Sequence, residues 1–188
     1  MSTPSVLQQA LAQCIAKRLT FAAFRRPGRP VQLWAQRTPE LETVEGTLLL
    51  GLNQVFRVAP FELEPARVPF IRADVELRFA EIDPDISPLL ACQGSHTRAS
   101  TTDRATPKAD FLAAVASAKQ ACKAKDLNKV VLSRVVDAHL DPARLPELFT
   151  RAMAANEHTF TALVHTPEHG LWLGASPERM VHEDLDHV

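Results

Sequence analysis

Two residues of this sequence are placed where they could carry acid–base chemistry. Lys129 opens "KVVLSR" and Glu178 closes "GASPE", 49 positions later. A lysine that leads Val130, Val131, Leu132, Val135 and Val136 into a sheet has no packing reason to be there. With its amine in water it is an ordinary strand end. Partly desolvated, the same amine gives up its proton more readily and becomes a base. Glu178 follows Gly174, Ala175, Ser176 and Pro177. Small residues let a ligand or another strand come close to the backbone, and the proline fixes the direction of the chain. A carboxyl group presented after such a turn becomes a proton donor if burial raises its pKa. The alternative is a turn followed by an exposed strand residue.

Other reactive side chains lack the spacing their chemistry requires. His139, His158, His165, His169, His182 and His187 crowd the last fifty or so residues. None forms HExxH, HxH or a His/Cys pair, so the ligand spacing of a transition-metal site is missing. Ser133 and Ser176 lack the GxSxG turn of an activated nucleophile, and no GxGxxG or P-loop cradles a phosphate. Cys14, Cys92 and Cys122 are odd in number and far apart, which suits free thiols in a reducing compartment. A net charge of −1 gives no electrostatic case for nucleic acid or an anionic membrane. Arg25, Arg26 and Arg29 cluster, but prolines break them into a solvated turn. No run approaches the roughly 18 apolar residues of a membrane span. The N-terminus lacks the basic start and apolar centre of a signal peptide. The expected location is cytoplasmic.

The chain of 188 residues, 46% hydrophobic, is long enough for one domain with a real core. Residues 5–19 have the 3.6-residue periodicity of a helix, through Val6, Leu7, Ala10, Leu11, Cys14, Ile15 and Leu19. "RRPGRP" then breaks the chain. From 31 to 90 the runs "VQLWAQ", "TLLLGLNQVFRV" and "VELRFAEI" read as strands between proline-rich turns. Residues 93–110 are almost without apolar side chains and read as an exposed loop. A helix follows, capped by Thr106 with Pro107 in its first turn, burying Phe111, Val115, Ala118 and Cys122. Next come a strand over 129–138, a helix through Leu145, Leu148, Phe149, Ala152 and Met153, and a hairpin of "TFTALVHT" and "LWLGA" around "PEHG". "ERMVHED" starts another strand. This order predicts an α+β fold, with antiparallel sheets flanked by helices.

Together, "KVVLSR" and "GASPE", with a helix and a hairpin between them, resemble the chorismate-utilising enzymes, and among them the isochorismate synthase branch. The resemblance runs from about residue 107 to the C-terminus. It implies the first half of that family's fold: a partial chorismate-binding domain over 1–188, with a β-rich part at 1–92, the loop at 93–110 and the motif-bearing part at 111–188. It implies chorismate as the small-molecule partner, with Mg²⁺ on its carboxylate. Lys129 becomes the general base on a water attacking C2, and Glu178 the acid protonating the departing C4 hydroxyl. Each such role is commonly worth about 10²–10⁴-fold. On this reading Lys129 points into a pocket. Salicylate synthases share the lysine, whereas the ammonia-using anthranilate and aminodeoxychorismate synthases usually have another residue there. Family members are longer, and their Mg²⁺-binding glutamates follow the "SPE" turn. The chain is therefore expected to be a fragment, a truncated product or one piece of a split enzyme, with its metal ligands beyond Val188. A non-catalytic remnant is the alternative. On its own it is expected to be inactive and to self-associate through an uncovered sheet edge.

Overall fold

A computed structural model describes residues 4–45, 54–58, 67–96 and 105–177. The chain divides into two compact units, one of residues 1–100 and 141–188, the other of residues 101–140. The first unit begins with helix α1, Val6–Lys17, which has the predicted periodicity and buries Leu7, Ala10, Leu11 and Cys14. Ser5 and Gln8 close a reciprocal capping box at its start, satisfying two otherwise orphaned backbone donors. Arg18 ends it in the left-handed conformation.

Strands β1 (Phe21–Arg25) and β2 (Val31–Ala35) form a hairpin across the "RRPGRP" turn, where Gly28 takes the positive φ of 65° that a residue with a side chain resists. Strands β3 (Glu42–Glu45), β4 (Val55–Arg57), β5 (Arg67–Arg72) and β6 (Val75–Phe79) follow. A short 3-10 helix spans Ser87–Ala91. After the second unit, helix α3 (Leu145–Ala155) leads into strands β7 (Phe160–Thr166) and β8 (Gly170–Ser176), the predicted hairpin. Five strands form an antiparallel sheet in the order β6-β2-β1-β7-β8, and three form a second, β3-β5-β4. The α+β class is confirmed.

Strand β1 explains how the layers stack. Its alternate side chains serve two cores, as the period of two requires. Phe21 and Ala23 pack with Leu11, Leu33, Leu77, Phe149 and Leu163 beneath α1 and α3. Ala22 and Phe24 join Ile71, Trp34, Phe56 and Val164 between the two sheets. A strand buried on both faces is the centre of a three-layer unit. At its end, the Arg25 guanidinium donates to the carbonyls of Met153 (3.0 Å) and Asn156 (2.8 Å). It thereby places a cation on the last turn of α3, where the helix dipole favours one.

His165 is a buried titratable group at the heart of this unit. Its Nδ1 lies 2.6 Å from the Leu19 carbonyl and so carries the proton it donates, and its ring stacks on Phe21. Burial pushes its pKa down, with Arg18 adding to the effect and the Leu19 carbonyl opposing it. The folded value lies below the unfolded one near 6.5, so between them the unfolded chain binds more protons. Stability is fully present above about pH 6.5 and is lost as pH falls through the folded value. The urea midpoint should drop between pH 7.5 and pH 5.5, and His165→Asn should flatten that dependence; equal slopes would exclude His165 as its source.

The second unit departs from expectation. Helix α2, Lys108–Ala124, forms where predicted, but Pro107 occupies the cap without a side-chain hydrogen bond. Thr106 instead receives the backbone N–H of Val135 on its hydroxyl (3.1 Å) and donates its own N–H to the Val135 carbonyl (2.8 Å). The stripe of Phe111, Val115, Ala118 and Cys122 is only half-buried. Residues 129–138 do not form the predicted strand: they run without turn or bend, outside any ladder, and exposed. A strand is made by a partner for its backbone groups, and no described residue supplies one beyond the Thr106 clip. The loop reading of 93–110 also needs correction at its start. Ser95 is buried, and the N–H groups of Gln93 and Ser95 donate to the carbonyls of Arg37 and Arg18. The strand read in "ERMVHED" lies outside the described residues, as do the leucines of "TLLLGLN".

Candidate functional site

The two candidate residues stand in different units. Lys129 begins the unpaired run of the second. Val130 and Leu132 turn toward Phe111, Val115, Ala118 and Cys122, lining with them a groove of about 420 Å³. Arg134 continues that side, its guanidinium 5.9 Å from the centre of the Phe111 ring. Positions 130, 132 and 134 thus face α2. Val131, between them, is 81% exposed. The sequence reading that sends Lys129 into a pocket is not met within this unit: the residue is exposed and outside the groove lining. The reason is the missing ladder. Among the described residues of this unit, no second layer covers Lys129 and withdraws its amine from water.

Glu178 lies outside the described residues. Its approach is described as far as Pro177. Among the described residues, strand β8 is an edge of the five-stranded sheet, paired with β7. Its motif residues Gly174, Ala175 and Ser176 are exposed, and a Cβ built on Gly174 would meet nothing within 4 Å. The small residues of "GAS" are therefore not demanded by packing in this unit. They leave the strand open to something approaching from outside it.

No three His, Cys, Asp or Glu side chains converge among the described residues in a manner that could hold a metal ion. No helix among the described residues is long and apolar enough to cross a membrane. The buried thiols Cys14 and Cys92 are not candidates for nucleophiles, since burial pushes both pKa values up and keeps them protonated.

The fold is thus mixed, with a two-sheet layered unit, and the described residues of both motif segments are exposed. Comparison with known proteins gives the class. The chorismate binding enzyme family matches residues 71–187, well over half of the chain and inclusive of both motifs. The chain belongs to that family of chorismate-utilising enzymes. The match begins within β5, well before residue 107, so the sheet strands β5 and β6 share in it. No curated protein and no solved structure matches the chain.

Proposed function

We propose that this chain carries the base and the acid of an isochorismate synthase. Lys129 takes a proton from water as the oxygen bonds to C2 of chorismate. Both conjugated ring double bonds shift by one position, from C1=C2 and C5=C6 to C1=C6 and C4=C5, and the C4–oxygen bond breaks, while the Glu178 carboxyl gives that oxygen its proton. One water enters and one leaves, so the reaction is an isomerisation. Both groups must start uncharged, and each requires surroundings that oppose its charge. The family match across both motifs is the observation that carries this reading. Mg²⁺ on the substrate carboxylate belongs to the proposal as the group that would anchor the ring.

Glu178→Gln tests the acid. The amide keeps the shape but has no carboxyl proton to give, so in a form of the protein that turns chorismate over, product formation should fall about 10²-fold or more with chorismate still bound. Chromatography of the product separates isochorismate from salicylate and anthranilate. Turnover that persists while only binding weakens would remove Glu178 from the acid role, and anthranilate as product would remove the hydration reading.

The exposed run also bears on the 188-residue chain by itself. Val131 and Val136 are 81% and 60% exposed, on a segment whose backbone groups have few partners. Such a segment recruits another strand. We propose that the purified chain self-associates with rising concentration and leaves chorismate unconverted, because Lys129 then stands in water. Light scattering should show Val131→Lys with Val136→Lys shifting the chain toward monomer. A monomeric, active wild-type chain would contradict both statements.

A further inference from the structure

One edge of the run over 129–138 is already engaged. Thr106 donates its N–H to the Val135 carbonyl at 2.8 Å and receives the Val135 N–H on its hydroxyl at 3.1 Å. In an extended run both backbone groups of a residue point to one side, and those of its neighbours to the other. The backbone groups of Val130, Leu132, Arg134 and Val136 therefore belong to the opposite edge, where no described residue bonds to them. The valines of the run are uncovered, each at least 41% exposed.

The order of residues in the run itself says what fits that edge. Lys129 stands near its start and Asp137 near its end, both exposed and neither ion-paired among the described residues. Laid antiparallel on a second copy about Ser133, the run sets Lys129 opposite Asp137, Val130 opposite Val136 and Val131 opposite Val135. Val130 with Val136, and Leu132 with Arg134, then exchange backbone hydrogen bonds along the free edge. Opposite charges and paired β-branched side chains stabilise neighbouring strands, and like charges destabilise them. Neighbouring registers on the same edge lack this match. Centred on Arg134, the run sets two guanidinium groups against each other; centred on Leu132, it leaves Lys129 opposite Val135.

We propose that two copies of the chain join along this edge, antiparallel and centred on Ser133, in a closed two-fold dimer. The dimer rests on the self-association proposed above and fixes its register and stoichiometry. Each copy uses the same edge, so association through this surface stops at two. The pairing also bears on the base. An Asp137 carboxylate from the second copy beside Lys129 favours the charged amine, which cannot take a proton from water.

Sedimentation of the 188-residue chain should show a monomer–dimer equilibrium and nothing larger. Lys129→Asp and Asp137→Lys should each weaken the dimer about tenfold, because each sets like charges opposite each other twice. Both substitutions in one chain exchange the partners and should restore wild-type association. A mixture of the two single variants should associate as well. In a Cys122→Ser chain, which keeps only the buried thiols, diamide should cross-link Ser133→Cys into a dimer. Facing residues of such a pair stand about 4.5 Å apart at Cα, within reach of a disulfide. Val135→Cys in the same chain should not cross-link, since Val135 faces Val131 and not itself. A monomer at every concentration would overturn the dimer together with the self-association, and leave the edge to another segment or another chain. Association without the Ser133→Cys cross-link, or without rescue by the exchanged pair, would overturn the register alone. Species larger than a dimer would overturn the two-fold closure.

Discussion

Lys129→Ala should remove isochorismate formation from any form of the protein that turns chorismate over, a fall of about 10²–10⁴-fold, with the fold unchanged. The folded structure has little stake in this side chain. It is exposed, and it does not line the groove that Val130 and Leu132 form with α2. A side chain without packing value at the head of an apolar run is free to serve chemistry. Circular dichroism should therefore match the wild type while the product peak disappears. Lys129→Arg sharpens the test, because arginine keeps a cation but cannot act as a base near neutral pH. Activity in Lys129→Arg would mean that only the positive charge is used; activity in Lys129→Ala would mean that the base lies elsewhere.

Gly94→Ala should be among the most damaging single changes to stability, costing about 3 kcal/mol or more. A Cβ at this position would lie 1.5 Å from the backbone carbonyl oxygen of Lys17. That oxygen belongs to the last turn of α1 and cannot swing aside as a side chain would. The next residue deepens the conflict: the Ser95 N–H donates to the Arg18 carbonyl at 3.0 Å, and Lys17 Nζ reaches the carbonyls of Leu89 and Leu90. Making room for one methyl group would pull apart the seam that fastens the chain around the 3-10 helix to the end of α1. A urea melt is the measurement. A midpoint within a few tenths molar of wild type would show that the seam yields without loss. Gly28→Ala is a milder comparison, since the only obstacle there is the positive φ and nothing lies within 4 Å of the added carbon.

The parts of the fold that could be read from the sequence are those in which local pattern and final environment agree. Helix α1 combines a capping box with a 3.6-residue apolar stripe, and both point to the same answer. Helix α3 and the β7–β8 hairpin are similar, with apolar periodicity bounded by turn residues. The pair "KVVLSR" and "GASPE" was also readable, because its signal lies in residue identity and order. The family match over 71–187 includes both words.

What the sequence could not settle is whatever depends on a partner distant along the chain. Residues 129–138 have the composition of a strand, but a strand exists only when another backbone takes its hydrogen bonds. Among the described residues Thr106 alone offers a brief clip. The stripe of α2 is periodic, yet its burial needs a layer opposite, and only Val130, Leu132 and Arg134 partly provide one. The strands β1, β3 and β5 went unread: β1 is buried on both faces and so lacks alternation, β3 is short and mostly exposed, and β5 carries a proline. The cleft under Trp172 was invisible for the same reason. Phe56 and Trp172 are more than a hundred positions apart, and only the stacking of one sheet on the other makes them walls of one cleft of about 450 Å³. Sequence alone determined which side chains are available and how each segment prefers to run. Tertiary structure decided which of them are covered, because burial is a property of the layer opposite.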